Sequence, residues 1–410
     1  MPIEPDLSCI MSFATEFDAL PLERLVADSQ SAPVSEVQKV LRKSGPSLND
    51  FSCLISPAAA GHLEDLGRRA RERTQQRFGK VIRLFAPLYL SNECINNCKY
   101  CGFSRDNPIL RVTLTVEEML REAEALLAQG FRNVLLVSGE HPKFVSNSYL
   151  ADCVRALHAV VPSISLEVGP METLDYTPLV DAGAEGLVVY QETYDRIVYD
   201  EMHTAGPKKD FNWRLETPER AYAAGFRRLG IGALYGLADW RYEAICLAAH
   251  AQYLLRRCWK ANLTISLPRL RPCAGEFQPI THLSDREMVQ LVCAFRLTFP
   301  DVGLVLSTRE SPRLRDGLMP LGITLMSAGS HTEPGGYTGA GKEKLHHTEH
   351  GRIIELGASE WAQANGSPRA TEQFNIADTR SPEDVANRIR GLGYEPVWKD
   401  WDAALTRVAD

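Results

Sequence analysis

Eight short apolar runs, each followed by a longer run with helical periodicity, occupy residues 81–330 of this 410-residue chain. A strand, a helix and a second strand in succession favour parallel pairing, because the helix returns the chain to the edge of the sheet where the first strand began. Eight such units predict an α/β fold, a closed (β/α)8 barrel of the TIM type. The predicted strands are Val81–Leu90, Asn133–Ser138, Ile164–Val168, Gly186–Tyr190, Arg228–Ile231, Leu263–Leu267, Gly303–Ser307 and Ile323–Ser327.

The predicted barrel, residues 81–330, is flanked by an extension at each end. Residues 1–80 are predicted to form a helical N-terminal extension, because their apolar residues recur at helical spacing. Residues 369–410 are predicted to form a C-terminal extension that packs on the barrel. This extension contains one clear helix, for which Ser381 and Asp384 approximate a capping box.

An insert, residues 331–368, separates the predicted barrel from the C-terminal extension. It is rich in glycine, histidine and glutamate and has no strong periodicity, so we expect a mobile loop. His346, His347 and His350 lie close together in it, which leaves a metal site open as an alternative to a solvated surface.

Charge and hydropathy exclude several classes of function. The net charge is −7, which provides no electrostatic basis for binding nucleic acid or an anionic membrane. No apolar run approaches the ~18–20 residues of a membrane span. The N-terminus is acidic and lacks the basic region of a signal peptide, so we expect a cytoplasmic protein whose cysteines stay reduced.

Three cysteines follow the first predicted strand, where a barrel of this type has its active-site mouth. Cys94, Cys98 and Cys101 are separated by three residues and then by two. Thiolates this close together can bind one soft metal centre. A fourth local ligand is missing, since the next cysteine is Cys153. The pattern favours a [4Fe–4S] cluster with one open iron over a structural zinc site or incidental thiols.

The cysteine loop also resembles the radical S-adenosylmethionine (SAM) superfamily. The resemblance rests on the cysteine spacing, on the aromatic residue before the third cysteine and on the apolar run before the loop. It implies that the cysteines hold a [4Fe–4S] cluster whose open iron binds SAM, and that SAM then yields a radical. The implied SAM contacts are Tyr100, Ile231 and Gly232 beside the adenine, Gly139 and Glu140 at the amine, Arg214 at the carboxylate, and Glu192 at the barrel mouth.

Longer segments resemble the aromatic amino-acid lyase branch of that superfamily, among them LSTRESP at 306–312 and GYEPVWKDWD at 393–402. By this resemblance Arg309 pairs with the carboxylate of the substrate, a role for which a guanidinium fork is suited. Ser327 and Tyr89 are implied to line the same substrate pocket.

Within the branch, these segments most resemble the tyrosine lyases of thiamine thiazole biosynthesis. The implied reaction cleaves the Cα–Cβ bond of L-tyrosine to 2-iminoacetate (dehydroglycine) and p-cresol, with 5′-deoxyadenosine and methionine. The implied partners are thiazole synthase and an electron donor such as flavodoxin or ferredoxin. The alternatives are a lyase for another aromatic amino acid, such as tryptophan, and a protein that acts mainly inside a complex with thiazole synthase. A related lyase that serves hydrogenase assembly uses further C-terminal cysteines, and this chain has none after Cys293.

Overall fold

Eight parallel strands close into a barrel in the computed structural model, which describes residues 12–355 and 369–399. The described strands are β1 (Val81–Ser91), β2 (Asn97–Cys98), β3 (Ile109–Arg111), β4 (Asn133–Ser138), β5 (Ser163–Glu167), β6 (Gly186–Val188), β7 (His203–Ala205), β8 (Arg228–Gly232), β9 (Asn262–Ser266), β10 (Gly303–Leu306), β11 (Leu325–Ser327), β12 (His346–Glu349), β13 (Arg352–Ile354) and β14 (Glu395–Val397). The barrel strands pair in the order β1, β4, β5, β6, β8, β9, β10 and β11, and β11 pairs with β1 to close the ring. The predicted (β/α)8 fold is confirmed.

Helices connect successive barrel strands, and several of them begin at residues whose side chains cap them. The capping boxes of Thr115 with Glu118 and of Ser284 with Glu287 satisfy backbone N–H groups at two helix starts. The helices are α1 (Phe13–Asp18), α2 (Leu22–Ser31), α3 (Val34–Val40), α4 (Leu48–Leu54), α5 (Pro57–Ala60), α6 (Leu63–Phe78), α7 (Val116–Ala128), α8 (Asn147–His158), α9 (Thr173–Asp181), α10 (Arg196–Met202), α11 (Phe211–Leu215), α12 (Thr217–Ala224), α13 (Trp240–Arg257), α14 (Asp285–Thr298), α15 (Pro312–Leu318) and α16 (Pro382–Gly391). Among the described helices, none combines the length and apolarity needed to cross a membrane.

The alternation of side chains along each strand decides which residues reach the barrel interior. In β5, Ile164 and Leu166 are fully buried in the core between the strands and the helices. Ser165 and Glu167 have the opposite parity and line cavities inside the barrel. Strand β1 follows the same rule, because Leu88 packs outward and Tyr89 faces the interior.

The N-terminal extension covers the outer helices of the barrel. Its described residues form α1–α6, and Ser47 and Asp50 make a capping box at the start of α4. Phe13 stacks on His250 of α13 with ring centroids 4.2 Å apart. Gln290 of α14 donates hydrogen bonds to two backbone carbonyls of the extension, so the contact is polar as well as apolar.

The insert contains two strands where its composition predicts a mobile loop. Strands β12 and β13 form an antiparallel hairpin, and β12 pairs with β3 beside the cysteine loop. Arg111 of β3 is buried and donates a 2.6 Å hydrogen bond to the Thr348 hydroxyl of β12. His346 pairs with the Glu93 carboxylate at 2.7 Å. The remainder of the insert, residues 356–368, lies outside the described residues.

The C-terminal extension first crosses the barrel mouth and then packs on the barrel wall. We call residues 370–378 the strap. Its backbone N–H groups at Gln373 and Ala377 donate to Thr332 and Thr308 at 2.9 Å each. Helix α16 begins with the predicted capping box, and β14 adds a parallel strand beside the start of β1. Residues 400–410, including the last part of the predicted tail, lie outside the described residues.

A buried ion pair fastens the strap to the barrel. The side chains of Arg315 and Asp378 have no exposed surface and contact each other directly. Arg315 also donates to the carbonyl of Ser327, and Arg380 donates to the Asp378 carboxylate at 2.7 Å. The end of β11 and the strap are therefore held by one charged network.

Asp378→Asn is expected to lower the free energy of unfolding by about 2 kcal/mol, because the amide leaves Arg315 without its counter-charge. Burial opposes ionisation of Asp378, but the hydrogen bonds from Arg380 and the charge of Arg315 outweigh it, so its pKa lies below the ordinary value. This stabilisation is complete above the unfolded-state pKa of about 3.9 and is lost as the pH falls through the lower folded-state pKa.

Urea unfolding of wild type and variant at neutral and acidic pH measures this effect. The difference in free energy of unfolding between wild type and Asp378→Asn should have its whole value at neutral pH and should decrease only at acidic pH. Asp152→Asn is the matched control, since Asp152 forms an exposed ion pair with Arg155 and should change stability by less than about 0.5 kcal/mol. Equal stability of wild type and Asp378→Asn at neutral pH would contradict the prediction.

Candidate active site

The three cysteines line a cavity of about 610 Å³ at the barrel mouth, which we call the cysteine cavity. All three thiols are free. Amide nitrogens of Asn96 and Gln373 lie 3.8 and 3.9 Å from the Sγ atoms of Cys94 and Cys101. Burial raises the pKa of the Cys98 and Cys101 thiols. Thiolates in this cavity therefore need a cationic centre to stabilise them.

The cysteine loop rests on the end of β4 through a close backbone approach. Ile95 N donates a 2.8 Å hydrogen bond to the carbonyl of Glu140. A Cβ atom at Gly139 would lie 2.1 Å from the carbonyl oxygen of Glu93, so a side chain there would push the cysteine loop away. The Glu140 carboxylate accepts a 2.7 Å hydrogen bond from Asn96. Two of the predicted SAM contacts, Gly139 and Glu140, thus border the cysteine cavity.

Glu192 and Arg214, also predicted as SAM contacts, meet on the rim of the cysteine cavity. The Glu192 carboxylate lies 3.2 Å from Arg214 Nη2 and 2.7 Å from Lys208 Nζ. Burial opposes ionisation of Glu192, but the charges of Lys208 and Arg214 outweigh it and lower its pKa. Glu192 also has φ of 72°, a left-handed conformation that side-chain-bearing residues rarely adopt. Lys208 was missed by sequence reasoning, because its short 3-10 turn has no recognisable pattern.

The three residues predicted beside adenine are not among the residues that line the cysteine cavity. The Tyr100 hydroxyl bonds to His203 Nε2 at 2.7 Å, so its buried ring is fixed. Ile231 and Gly232 end β8. A Cβ atom at Gly232 would lie 2.8 Å from the Tyr190 ring, so this glycine lets the ring pack closely. Their contact with adenine remains a prediction.

A second cavity, of about 840 Å³, lies beside the first and is lined by all three predicted substrate residues; we call it the Arg309 cavity. The Arg309 guanidinium lies 3.3 Å from the centroid of the Phe374 ring, a cation–π contact with the strap. Among the described residues, no carboxylate lies within ion-pair distance of Arg309. Glu310 is bound instead by Arg269, with Nε–O distances of 3.0 and 3.1 Å. Arg309 is therefore available to bind the carboxylate of a ligand.

Tyr89 and Ser327 lie on opposite sides of Arg309 in chain order but line the same cavity. The Tyr89 hydroxyl donates a 2.7 Å hydrogen bond to Gln373 Oε1. Ser327 Oγ accepts a 3.1 Å hydrogen bond from the backbone N–H of Thr308. Gln373 and Phe374 were missed by sequence reasoning, because the strap has no periodicity that would place it at the barrel mouth.

Glu167 lies where the two cavities meet, since it lines both of them together with Val137 and Tyr190. Burial, and next the negative charge of Glu192, raise the pKa of Glu167 to about 7. Sequence reasoning missed this residue too. Its signal was a carboxylate at the penultimate position of a predicted barrel strand, where barrel enzymes place functional side chains.

The cysteine cavity fits the cluster and SAM that the resemblance implies. Besides the thiols, it contains Ser138 Oγ, which is buried and has no hydrogen-bond partner among the described residues. Within residues 12–355 and 369–399, no three His, Cys, Asp or Glu side chains converge as a single metal ion would require. Cluster ligands need only surround a shared space, because each thiolate binds a different iron. By the resemblance, Arg214 and Glu140 would provide opposite charges for the carboxylate and the amine of SAM.

Two family models match the chain. The Radical SAM superfamily model matches residues 88–247, which hold the cysteine loop and β4 to β8. The Biotin and Thiamin Synthesis associated domain model matches residues 266–395, which hold Arg309, Ser327 and the strap. The two models together thus cover most of the residues that line the two cavities.

Curated relatives match nearly the whole length. The chain is 42% identical to 2-iminoacetate synthase of Escherichia coli (strain K12), over 92% of this chain and 93% of that protein. It is 40% identical to the same enzyme of Salmonella typhimurium over the same shares. The X-ray structure of the FeFe-hydrogenase maturase HydG from Carboxydothermus hydrogenoformans is 32% identical, has a TM-score of 0.80, and is matched over 94% of this chain and 85% of that one. The chain therefore belongs to the 2-iminoacetate synthase family of radical SAM lyases.

Proposed function

We propose that this protein cleaves the Cα–Cβ bond of L-tyrosine to 2-iminoacetate and p-cresol, with 5′-deoxyadenosine and methionine as the products of SAM. The observation that carries the proposal is the Arg309 cavity. It contains a guanidinium that has no carboxylate partner among the described residues, and it shares lining residues with the cysteine cavity. The 2-iminoacetate synthase relatives support the same reaction.

Arg309 binds the carboxylate of tyrosine in this proposal. The face of Phe374 holds the guanidinium in place, so the side chain is ordered before the substrate arrives. Glu310 does not compete with the substrate for Arg309, because the Glu310 carboxylate is bound by Arg269. Arg269 also pairs with Asp285 at 2.8 Å. Since both of these carboxylates occupy Arg269, it is a poor substitute for Arg309 as the partner of the substrate carboxylate.

The walls of the Arg309 cavity accept the side chain of tyrosine. They are largely apolar, with residues such as Phe85, Leu135 and Val292. The strap roofs the cavity and, with the Tyr89–Gln373 hydrogen bond, limits the access of water to the bound substrate.

Cys94, Cys98 and Cys101 hold the [4Fe–4S] cluster, and Gly139, Glu140, Glu192 and Arg214 border the space for SAM. When bound, these cofactors would supply radical chemistry for hydrogen-atom abstraction at the amino group of the substrate. The protein positions that group toward the cysteine cavity by fixing the carboxylate at Arg309.

Anaerobic incubation of the reconstituted protein with SAM, a reductant and single amino acids tests the proposal. We expect p-cresol and 5′-deoxyadenosine from tyrosine, and no p-cresol when SAM is omitted. Consumption of tryptophan in place of tyrosine would favour the alternative aromatic substrate and contradict the proposal. Product formation only when thiazole synthase is added would assign the protein to an obligate complex.

The partners and the location are part of the same proposal. Thiazole synthase would receive 2-iminoacetate, and a flavodoxin or ferredoxin would deliver the electron. Free thiols at nine described cysteines support a reducing compartment such as the cytoplasm. Co-purification of the protein with thiazole synthase, compared with a control without it, tests the first partner.

A further inference from the structure

The Glu167 carboxylate has no role in the mechanism above, although it lies between the two cavities. As an inward-facing residue near the end of β5, it is placed by the same alternation that places Ser165 inside the barrel. It lines the Arg309 cavity and the cysteine cavity alike. Any ligand that spans the two cavities must pass beside it.

The other carboxylates of the two cavities already have partners. Glu192 is bound by Lys208 and Arg214. Glu310 is bound by Arg269, and Glu140 accepts from Asn96. Glu167 has neither an ion pair nor a hydrogen bond among the described residues. Glu167 is half-buried and faces both cavities, so its unpaired carboxylate is open to a cationic ligand.

The charge of Arg309 complements that of Glu167 across the Arg309 cavity. An α-amino acid carries a carboxylate and an ammonium group on the same carbon atom, so a pair of opposite charges matches it. The raised pKa of Glu167 agrees with a missing counter-charge, because burial and Glu192 both disfavour its ionised form. An ammonium group would supply that charge.

We propose that Glu167 binds the α-ammonium group of the substrate while Arg309 binds its carboxylate, an assignment that rests on the proposed function. The two contacts together orient the amino group toward the cysteine cavity. They also make an α-amino acid the required substrate class, because a phenol with only one of the two charges satisfies only one of the two side chains.

Binding of three ligands to the reconstituted protein with SAM and without reductant tests this assignment. The ligands are L-tyrosine, tyramine, which lacks the carboxylate, and 3-(4-hydroxyphenyl)propanoate, which lacks the amine. Anaerobic calorimetry should show that Glu167→Gln lowers the affinity for tyrosine and for tyramine by about tenfold or more. The same variant should bind 3-(4-hydroxyphenyl)propanoate as well as wild type does. Arg309→Lys should weaken the binding of tyrosine and of the propanoate, the two ligands that carry a carboxylate, and should leave the binding of tyramine unchanged.

Glu172→Gln is the matched control, since Glu172 is an exposed carboxylate on the loop that follows β5. It should leave all three affinities unchanged. The proposal is overturned if Glu167→Gln lowers the affinity for the propanoate as much as the affinity for tyrosine. It is also overturned if the variant binds both tyrosine and tyramine as wild type does, or if the variant loses the iron of the cluster. If Glu167→Gln does not fold, Glu167→Asp replaces it in the test. The displaced charge of the aspartate should lower the affinity for tyrosine and leave the affinity for the propanoate unchanged. Any other pattern of affinities contradicts the proposed role of Glu167.

The outcome is separable from that of the proposed function. Formation of p-cresol by the wild-type protein tests the reaction, and the ligand preferences of the Glu167 variants test the ammonium contact. A wild-type protein that cleaves tyrosine, with a Glu167→Gln variant of unchanged tyrosine affinity, would retain the function and reject this inference.

Discussion

Replacing Cys94, Cys98 or Cys101 by alanine is expected to remove the [4Fe–4S] cluster and to abolish SAM cleavage. Three thiolates are the minimum for a cluster that leaves one iron open, so the loss of one leaves no spare ligand. The described cysteines nearest in sequence cannot substitute without rearrangement, because Cys53 and Cys153 are buried in helices outside the cysteine cavity. Iron content, visible absorbance and 5′-deoxyadenosine formation measure the effect.

Two other cysteines provide controls for this prediction. Cys153→Ala should retain full iron content, because its side chain is buried in α8. Cys273→Ala should also retain it, although its thiol donates to the Tyr100 carbonyl at 3.3 Å and makes it the stricter control. A normal cluster signal in any single variant of the three loop cysteines would show that the cluster is not held as inferred.

Arg309→Ala is expected to lower kcat/KM for tyrosine by at least about a hundredfold while the cluster stays intact. A bidentate guanidinium makes two charge-assisted hydrogen bonds to a carboxylate, each contributing roughly 1.5–3 kcal/mol, so their loss costs about 3 kcal/mol or more. Arg309→Lys should fall between wild type and alanine, because an ammonium group keeps the charge but cannot form the fork. Steady-state p-cresol formation and iron content measure both quantities.

Arg313→Ala controls for the loss of one positive charge near the end of β10. Arg313 is exposed and lines neither cavity, so its removal should leave kcat/KM unchanged. Because the Arg309 variants retain the cluster, some SAM cleavage uncoupled from p-cresol should persist in them. Unchanged tyrosine kinetics in Arg309→Ala would make Arg309 a structural residue, and the substrate carboxylate would then need another partner.

The barrel could be predicted from the sequence because its signal is local and repeated. Each strand–helix unit carries its own apolar run, and the capping residues mark where helices start, as at Thr115 and Ser284. Parallel pairing then follows from the connections, and eight units suffice to close the ring. The hairpin within the insert was not predicted, for the converse reason. The hairpin of β12 and β13 is stabilised by pairing with β3, more than two hundred residues earlier, and such a contact leaves no local pattern.

The sequence by itself determined the cysteine loop, because three ligands within eight residues need no tertiary information to lie together. It also determined which strand ends carry Tyr89, Arg309 and Ser327, and these do line one cavity. Only the tertiary structure decided the rest. The pairing of Glu310 with Arg269 frees Arg309, and the strap brings Gln373 and Phe374 to the barrel mouth. Closure of the barrel likewise places Glu167 where no other described residue pairs with it, because ion pairs depend on contacts between elements that are distant in the chain.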